Sequence, residues 1–494
     1  VNVPPGTVIS TSGTYVLNQS YDTGSGSFVT IEASDVVLDG RGHTINSTAS
    51  GSYAVDVYNS NQQLTNVTVK NVQAWNWTAG IRYKNAHRST IRNSSVESSG
   101  LGTFGIRLLS SSNVTVGDNT VDGPEYGVHL SSSNDNTLAN NTATYTLDAG
   151  FGTVQSDGNT LRNNTAANNT QVGFNIVTSS VNNVLRNNTA EDNGEGYVLL
   201  SSSNGNQLQN NTAIANANSG FEIDGSASNT LRNNTATANR RGFYLTGASQ
   251  NVFADNNASG NGNAGYELFS NSDDNAVMGG SAVDNGKWSY RTYLSSSGNS
   301  VTNVSLGSAN VSFTGENVMV KPVTSPPPDP AGVQNINQHL NVSDDSAGST
   351  WIDLNVSYSD GDASGVNESS LRLWQYGGSS WSELSGTSVD ETSNEVGGNF
   401  STAGIVAPMA QPRSSSLAAS ASANASDVAV GSTVELDGSG SSGATSYAWT
   451  VTRNGNLAAT SSSATFTHAF STAGVYDATL TASDGGDQDT DSVT

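Results

Sequence analysis

The phrase Leu161-Arg-Asn-Asn-Thr-Ala166 recurs along the middle of the chain with hardly a change. Its copies are Leu138-Ala-Asn-Asn-Thr-Ala143, Leu185-Arg-Asn-Asn-Thr-Ala190, Leu208-Gln-Asn-Asn-Thr-Ala213 and Leu231-Arg-Asn-Asn-Thr-Ala236. They start 23 or 24 residues apart. Self-similarity at such a period is the signature of a solenoid, in which each coil buries its apolar residues against its neighbours. The repeat therefore predicts a stack of coils of about 23 residues.

A second recurring element starts at a glycine and continues as an alternating tripeptide. Examples are Ile106-Arg-Leu108, Phe174-Asn-Ile176 and Tyr266-Glu-Leu268. A period of two predicts a β-strand whose outer members are buried and whose middle member is exposed. Each coil therefore contributes at least two strands. The aligned glycines are Gly80, Gly105, Gly127, Gly150, Gly173, Gly196, Gly220, Gly242 and Gly265.

Stacked coils bring equivalent residues about 4.8 Å apart, so like residues should form ladders. The second asparagine of each phrase should form one such ladder at a turn, with each amide bonding the next. Its members would be Asn119, Asn141, Asn164, Asn188, Asn211, Asn234 and Asn256. Aromatic residues should stack in the core, namely Phe151, Phe174, Tyr197, Phe221, Phe243 and Tyr266.

The phrases Tyr15-Val-Leu-Asn18 and Val36-Val-Leu-Asp-Gly-Arg-Gly-His-Thr-Ile45, followed by these coils, resemble the NosD-like group of right-handed β-helix surface proteins. The resemblance covers residues 1–320. It implies a right-handed parallel β-helix. Because the group includes lyases, epimerases, copper-associated proteins and adhesins, the resemblance implies a fold and not an activity.

Two further modules are expected after the β-helix. Residues 321–332 are proline-rich and predict a semi-rigid linker. Residues 333–412 predict a β-sandwich, and the stretch from Val366-Asn-Glu-Ser-Ser-Leu-Arg-Leu-Trp374 to Ala407-Pro-Met409 resembles a module of haloarchaeal surface proteins. Residues 413–494 comprise a linker and a region that resembles a PKD domain, an immunoglobulin-like sandwich, through Tyr447-Ala-Trp449 and the run His468–Asp484.

The predicted fold class is therefore all-β, a right-handed parallel β-helix followed by two β-sandwich (immunoglobulin-like) domains.

The charge pattern excludes several partners. Only 12% of the residues are charged, the formal net charge is −24, and four residues are lysine. Such a surface repels nucleic acid and anionic membranes, and it suits a halophilic, archaeal source.

Cysteine is absent, which excludes disulfides and thiolate chemistry. No run of about 18 apolar residues occurs, so any membrane anchor is expected outside this segment.

Asn-x-Ser/Thr sequons are unusually frequent and point to an extracellular, cell-surface glycoprotein. Inside the repeat, chance in an Asn/Thr-rich sequence is the alternative explanation; the sequons outside it favour glycosylation. In each phrase the sequon asparagine precedes the ladder asparagine, so the sequon side chain should point outward and glycan occupancy should be incomplete. The candidate glycosylation sites are Asn18, Asn46, Asn66, Asn76, Asn93, Asn113, Asn140, Asn163, Asn168, Asn187, Asn210, Asn233, Asn257, Asn303, Asn310, Asn341, Asn355, Asn367, Asn399 and Asn424.

The outward column of the glycine-led strand is where β-helix enzymes would place carboxylates. Glu222 and Glu267 lie two coils apart, roughly 10 Å, at the upper edge for an inverting glycosidase pair. We assign no catalytic residue, since a solvated ladder of varied side chains explains the column better. A carbohydrate-binding surface would use Arg107, His129 and Tyr244.

No cofactor is required by this sequence, and calcium is the one candidate ion. Asp360, Asp362, Ser364 and Asn367 place oxygen ligands at roughly alternating positions around a glycine turn, resembling part of a calcium loop. An ordinary acidic turn is the alternative. The five histidines are scattered, which argues against the copper role of some NosD-like proteins.

These features predict a non-enzymatic structural protein of the cell surface: an adhesin, a surface-layer component or a filament subunit. Self-assembly into a homo-polymer, or binding to other surface proteins, is expected because no cap is evident at either end of the solenoid and open strand edges invite pairing. Surface glycans are candidate ligands. The alternatives are an extracellular polysaccharide lyase or glycosidase, and a carbohydrate-binding module.

Overall fold

The computed structural model describes residues 1–48, 52–98, 102–344, 351–401, 403–413, 417–485 and 487–494. These residues fall into two compact units. The first contains Val1–Pro328, Asn337–Tyr358 and Arg372–Pro408, and the second contains Asp329–Ile336, Ser359–Leu371 and Met409–Thr494. Each unit is built from β-strands, so the predicted all-β class is confirmed.

The first unit begins as a right-handed parallel β-helix with three faces. Most coils therefore contribute three strands, whereas the repeat predicted at least two. The first face carries the glycine-led strands. Their outer residues point inward and stack in register, for example Phe151 on Phe174 and Phe174 on Tyr197. The strands of the first face are Thr7–Ile9, Val29–Ile31, Tyr53–Val57, Ala79–Lys84, Phe104–Leu109, Tyr126–Ser131, Ala149–Val154, Val172–Val177, Glu195–Leu200, Ser219–Asp224, Arg241–Thr246, Ala264–Phe269 and Trp288–Tyr293.

The second and third faces flank the recurring phrase, and most of their strands are three residues long. The second-face strands are Gly13–Val16, Val36–Asp39, Thr68–Lys70, Thr90–Arg92, Thr115–Gly117, Thr137–Ala139, Thr160–Arg162, Val184–Arg186, Gln207–Gln209, Thr230–Arg232, Val252–Ala254, Ala276–Met278 and Ser300–Ser305. The third-face strands are Tyr21–Thr23, Thr44–Ser47, Gln73–Trp75, Ser95–Glu97, Thr120–Asp122, Thr142–Thr144, Thr165–Ala167, Thr189–Glu191, Thr212–Ile214, Thr235–Thr237, Asn257–Ser259 and Ser281–Val283. A short pair, Leu64–Thr65 with Ala86–His87, lies before the second face.

Each residue of the phrase has a structural reason. In Leu161-Arg-Asn-Asn-Thr-Ala166, Leu161 and Ala166 are fully buried on the second and third faces. Asn163 has a φ of 55°, a left-handed conformation that asparagine tolerates better than most residues, and it makes the corner. Asn164 then points inward and is 1% exposed. The phrase thus specifies, in order, a second-face strand residue, a corner residue, a ladder residue and a third-face strand residue.

The predicted asparagine ladder forms along its whole length. Asn164 donates from Nδ2 to Oδ1 of Asn188 at 3.0 Å and to the Leu138 carbonyl at 3.0 Å, while its Oδ1 accepts from the Asn141 amide. Equivalent bonds link every predicted member from Asn119 to Asn256. Because these buried amides satisfy one another and the backbone, they hold successive coils in one register.

Two further asparagine ladders occupy the other corners. One precedes the second face and comprises Asn136, Asn159, Asn183, Asn206, Asn229, Asn251, Asn275 and Asn299. The other follows the third face and comprises Asn169, Asn193, Asn216, Asn239, Asn261 and Asn285. Every corner of the central coils is therefore tied by side-chain amides.

The predicted aromatic core stack also forms. The rings from Phe151 to Tyr266 follow one another at 4.6 to 4.9 Å with nearly parallel planes. The aligned glycines pack against the third face, and a Cβ on Gly150 would lie 2.9 Å from the Gly173 carbonyl oxygen and 3.0 Å from Cβ of Ala166. Glycine is required there because the two faces approach so closely.

The solenoid does not end in open strands at its C-terminal side, so the expectation that no cap exists is wrong there. Val318–Pro322 pairs antiparallel with Trp288–Tyr293, and Asn310–Glu316 pairs antiparallel with Ser300–Ser305. Further antiparallel strands of the first unit extend these sheets. They are Leu340–Asp344, Trp351–Ser357, Arg372–Tyr376, Trp381–Glu383, Ser388–Asp390, Glu395–Phe400 and the first five residues of Gly404–Ala410.

The second unit contains an antiparallel sandwich. Its core is formed by Val434, Leu436, Trp449, Val451, Ala478 and Leu480. Three strands make one sheet, Ser422–Ala423, Thr433–Asp437 and Thr465–Ala469. Four make the other, Ser446–Arg453, Asn456–Ser461, Tyr476–Ser483 and Gln488–Val493. The unit also holds Gln334–Asn335, paired with Met409 and Ala410, and a 3-10 turn at Glu368–Ser370.

Candidate functional site

The outward side of the first face carries a column of mostly polar residues, one from each of eleven consecutive coils. Consecutive members lie opposite one another in the parallel register. In order along the solenoid they are Asp56, Arg82, Arg107, His129, Gly152, Asn175, Val198, Glu222, Tyr244, Glu267 and Arg291. Two clusters occur in this column, one basic and one acidic.

The expectation that these middle residues are exposed is wrong for several of them. Glu267 is 1% exposed, Val198 2% and His129 9%. Neighbouring coils are about 4.8 Å apart, so long side chains on adjacent coils and on the flanking strand positions cover one another. The first face therefore presents a partly desolvated surface, on which charges interact more strongly than in water.

The basic cluster consists of Arg82, Phe104, Arg107, Tyr126 and His129. The Arg82 guanidinium makes a bidentate pair with Asp56, with both N–O distances 2.8 Å. Arg107 lies over the Phe104 ring at 4.3 Å, and the Phe104 and Tyr126 rings stack at 5.4 Å. The His129 ring lies 5.1 Å from Phe104 and 5.0 Å from Tyr126.

Burial shapes the ionisation of this cluster. Desolvation, with a smaller contribution from Arg107, lowers the pKa of His129 to about 4, so its imidazole is neutral at pH 7. Burial also lowers the pKa of Arg107. Two buried nitrogens, Arg107 Nε and His129 Nδ1, have no hydrogen-bond partner among the described residues. The sequence placed Arg107 and His129 on one surface, and the structure brings them together.

Tyr244, the third predicted carbohydrate-binding residue, does not lie with the other two. It is five coils beyond His129 in the register, about 24 Å away at the spacing of parallel strands. Its ring instead lies 4.3 Å from the Arg241 guanidinium. Tyr244 therefore belongs to the acidic cluster.

The acidic cluster consists of Glu195, Glu222, Arg241, Tyr244 and Glu267. Arg241 Nε donates to Glu267 Oε2 at 2.9 Å, and Tyr293 donates its hydroxyl to Glu267 Oε1 at 2.7 Å. Asn263 Nδ2 also donates to Glu267 at 2.8 Å. Glu267 is thus a buried carboxylate that accepts three hydrogen bonds.

Glu222 differs from Glu267 in its partners. Burial and the charge of the nearby Glu195 carboxylate raise the pKa of Glu222 to about 7. Ser219 donates its hydroxyl to Glu222 Oε2 at 3.1 Å. Glu195 accepts from Asn218 Nδ2 at 2.8 Å. The carboxyl pair in this cluster is therefore Glu195 with Glu222.

The sequence interpretation paired Glu222 with Glu267 and missed Glu195. Glu195 precedes the glycine of its strand, in Glu195-Gly196-Tyr197, and so lies on the flank of the column. That position is filled by other residue types in neighbouring coils, such as Val172 and Ser219. An acidic residue on the coil next to that of Glu222 was the available signal.

Most predicted glycosylation sites are accessible. Among the twenty sequon asparagines, Asn46, Asn257, Asn341 and Asn355 are half-buried, and the others are exposed. In the central coils, Asn140, Asn163, Asn187, Asn210 and Asn233 form one exposed row, each with a positive φ of 53° to 58°. We call this set the sequon row. Glycosylation at these sites stays a prediction.

The predicted calcium ligands lie in the second unit, and part of their bonding capacity is used by their own turn. Asp362 Oδ2 accepts from the Ser359 amide at 2.8 Å and hydroxyl at 2.7 Å. Ser364 donates to the Gly361 carbonyl, and Asn367 Oδ1 accepts from Ser369. Asp360 is exposed. Within the described ranges, no three His, Cys, Asp or Glu residues are grouped to hold a metal.

Three family models match the chain. A right-handed β-helix region matches residues 53–213, a periplasmic copper-binding protein (NosD) matches residues 175–287, and a PKD domain matches residues 418–494. These matches confirm the predicted resemblance to NosD-like β-helix proteins and to PKD domains. No curated protein matches the chain.

Solved structures with a similar fold include the periplasmic alginate epimerase AlgG, with 16% identity, a TM-score of 0.45, and coverage of 61% of this chain and 78% of that chain. The A-module of the Azotobacter vinelandii mannuronan C-5 epimerase AlgE6 has 18% identity and a TM-score of 0.46, with 60% and 90% covered. The Dettilon tailspike protein has 14% identity and a TM-score of 0.37, with 81% and 87% covered. At such identities the likeness shows the fold alone.

The residues of the NosD match do not fit a copper site. Residues 175–287 contain no histidine and no cysteine, and their one methionine, Met278, is 40% exposed. Copper prefers imidazole, thiolate and thioether ligands, so this stretch lacks the donor set.

In the described part of the chain, no helix has the length and apolar character needed to cross a membrane.

Proposed function

We propose that this β-helix chain with a C-terminal PKD domain is a non-enzymatic, glycosylated protein of the cell surface, acting as an adhesin, surface-layer component or filament subunit. The observation that carries the proposal is the sequon row. Asn140, Asn163, Asn187, Asn210 and Asn233 expose their side chains on consecutive coils, directly beside the buried ladder. A rigid solenoid with one such row is suited to display glycans at regular intervals.

Backbone conformation alone explains part of the sequon row, since asparagine suits its positive φ values. The sequons elsewhere need another reason. Asn367 has a φ of −78°, and Asn310, Asn399 and Asn424 are not among the residues with positive φ; all four are exposed. Accessible sequons without a conformational requirement support glycosylation as their common cause.

The chemistry of the outward column supports a non-enzymatic role. Glu267 is 1% exposed and accepts hydrogen bonds from Arg241, Tyr293 and Asn263, so its carboxylate is shielded from a substrate. Glu222 and Glu267 lie two coils apart, roughly 10 Å, at the upper edge of the carboxyl separation in inverting glycosidases. Because Glu267 is 1% exposed, this pair lacks an accessible second carboxylate.

Imaging at the cell surface tests the proposal. Immunogold labelling of intact cells with an antibody to this chain should decorate the outer surface, and label confined to the cell interior would contradict the proposal.

Self-association is part of the proposal, and negative-stain images of the purified protein test this part. Ordered polymers or arrays are expected, and dispersed monomers at every protein and salt concentration would remove the filament role.

A second candidate function is a polysaccharide lyase, favoured by the raised pKa of Glu222 beside Glu195. A carboxyl with a pKa near neutrality can exchange a proton with a substrate at physiological pH. Ultraviolet absorbance from newly formed unsaturated uronates would reveal such activity on acidic polysaccharides. Activity abolished by Glu222→Gln and retained by Glu191→Gln, an exposed third-face carboxylate, would replace the structural role by an enzymatic one.

A further inference from the structure

Arg107 is an unpaired cation on a face where the neighbouring arginines are paired. Arg82 is bound by Asp56 at 2.8 Å, Arg241 by Glu267 at 2.9 Å, and Arg291 lies 3.7 Å from Glu267. Among the described residues no carboxylate lies within ion-pair distance of Arg107. The chain has 42 acidic residues against 18 basic ones, so the absence of a carboxylate at this position is notable.

The surroundings of Arg107 make an unpaired charge costly. The guanidinium is half-buried, its Nε is shielded from solvent without a partner, and Arg82 lies on the adjacent coil as a like charge. Burial lowers the pKa of Arg107, which reflects the free-energy penalty on its charged form. An anion placed at this guanidinium would remove both the unsatisfied donor and the electrostatic penalty.

An aromatic pair lies beside this cation. The Phe104 and Tyr126 rings are half-buried and stack with an interplanar angle of 19°, and Arg107 sits over Phe104 at 4.3 Å. Because stacked rings cover one face of each other, the pair presents mainly its ring edges to a ligand. These edges form an apolar contact surface for a sugar ring, with the guanidinium beside it.

Unsatisfied polar atoms continue the surface along the column. His129 Nδ1 is buried without a partner in a residue that is 9% exposed, and Asn175 Oδ1 is likewise buried without a partner. Gly152 lies between these two residues and contributes no side chain. A polar ligand spanning these coils would find one donor or acceptor on either side of the glycine, which suits hydroxyl groups.

We infer that the basic cluster binds a uronic acid residue of an acidic polysaccharide, with the sugar carboxylate on the Arg107 guanidinium and the sugar ring against Phe104 and Tyr126. A planar guanidinium matches a carboxylate in bidentate geometry, which favours a uronate over a neutral hexose. The inference does not depend on glycosylation of the chain or on the role at the cell surface. It assigns a ligand class to a site that lies three coils, about 14 Å along the stack, from the nearest coil of the acidic cluster.

Isothermal titration calorimetry of the full chain tests the inference. The probes are oligomers of galacturonate, glucuronate and mannuronate, each compared at one salt concentration with its methyl ester, which keeps the ring and loses the charge. At least one uronate series should bind, and its ester should bind at least tenfold more weakly. Absence of binding by all three series, or equal binding of acid and ester, would overturn the inference.

Variants locate the site. Arg107→Gln should weaken uronate binding at least tenfold, because the charge-assisted bonds are lost, and Phe104→Leu should weaken it through loss of the flat ring. Arg186→Gln, which removes an exposed second-face arginine, should leave binding unchanged. Since Arg107→Gln removes an unpaired half-buried charge, its urea midpoint should not fall. Unchanged binding by Arg107→Gln would refute the assignment.

Discussion

Arg241 and Glu267 lie on adjacent coils and form an ion pair with 2.9 Å between Nε and Oε2, on the outward side of a sheet yet almost fully buried. Their side chains are 15% and 1% exposed. A buried pair of this kind is a structural element, since either charge alone would be costly. The pair therefore gives Glu267 a role in holding adjacent coils together.

Removing the charge of Glu267 should therefore destabilise the solenoid. In Glu267→Gln, Arg241 and Arg291 lose their counter-charge in a desolvated setting, and we expect a loss of about 3 kcal/mol in unfolding free energy. Urea unfolding followed by circular dichroism measures it. Glu191→Gln removes an exposed carboxylate and should change the midpoint little. Equal midpoints for the two variants would show that the ion pair contributes nothing.

Glu222 should make stability fall as pH rises. Its pKa is raised from 4.5 to about 7 in the folded chain, so between these values the folded state binds more protons than the unfolded state. The contribution is complete below about pH 4.5 and is lost as pH rises through 7. Glu222→Gln mimics the protonated form, so relative to the unmodified chain it should gain about 1 kcal/mol between pH 5 and pH 8. A pH-independent difference would contradict this.

The inward asparagines should be far more sensitive than their outward neighbours. Asn188 donates to Asn211 Oδ1 and to the Leu161 carbonyl, and Asn188→Asp replaces these donations by oxygen facing oxygen. We expect a loss of at least about 3 kcal/mol. Asn187→Asp is the matched control, since the residue is exposed and aspartate also tolerates its positive φ. Similar urea midpoints for both variants would remove the ladder as a stabilising element.

Gly150 and Gly152 lie on one strand and allow the same change on opposite sides of the sheet. A Cβ on Gly150 would meet the Gly173 carbonyl at 2.9 Å, whereas on Gly152 it would meet only the His129 ring at 3.1 Å. Gly150→Ala should cost about 2 kcal/mol through overpacking, and Gly152→Ala less than half as much. Hydrogen exchange of the neighbouring coils would show the difference. Equal protection in both variants would argue against the close packing of the faces.

The ladder from Asn119 to Asn256 could be predicted because its phrase recurs in register and each member's chemistry is local. The ladder from Asn136 to Asn299 left a weaker signal in the sequence. Each of its asparagines comes two positions before the inward-pointing residue of a second-face strand, as in Asn159-Thr-Leu161. The strands of the second and third faces are mostly three residues long, too short for a periodicity to be visible. The recurring phrase marked one short strand per coil, and no separate signal marked the other.

The burial of Glu267 could not be predicted from the sequence. It depends on Arg241 and Tyr293, each 26 residues away in sequence, folding over the carboxylate from adjacent coils. The pairing of Glu195 with Glu222 depends in the same way on a diagonal contact between coils. Alternation along one strand predicts which side of the sheet a residue occupies, but neighbouring strands decide whether it meets solvent.

Glycopeptide mass spectrometry of the protein purified from its own cells tests the central proposal most directly. The account predicts glycans on some, but not all, of Asn140, Asn163, Asn187, Asn210 and Asn233, since sites on neighbouring coils are only about 4.8 Å apart. It predicts none on the buried Asn141, Asn164, Asn188, Asn211 or Asn234. Unmodified asparagine at every position of the sequon row would contradict the proposal.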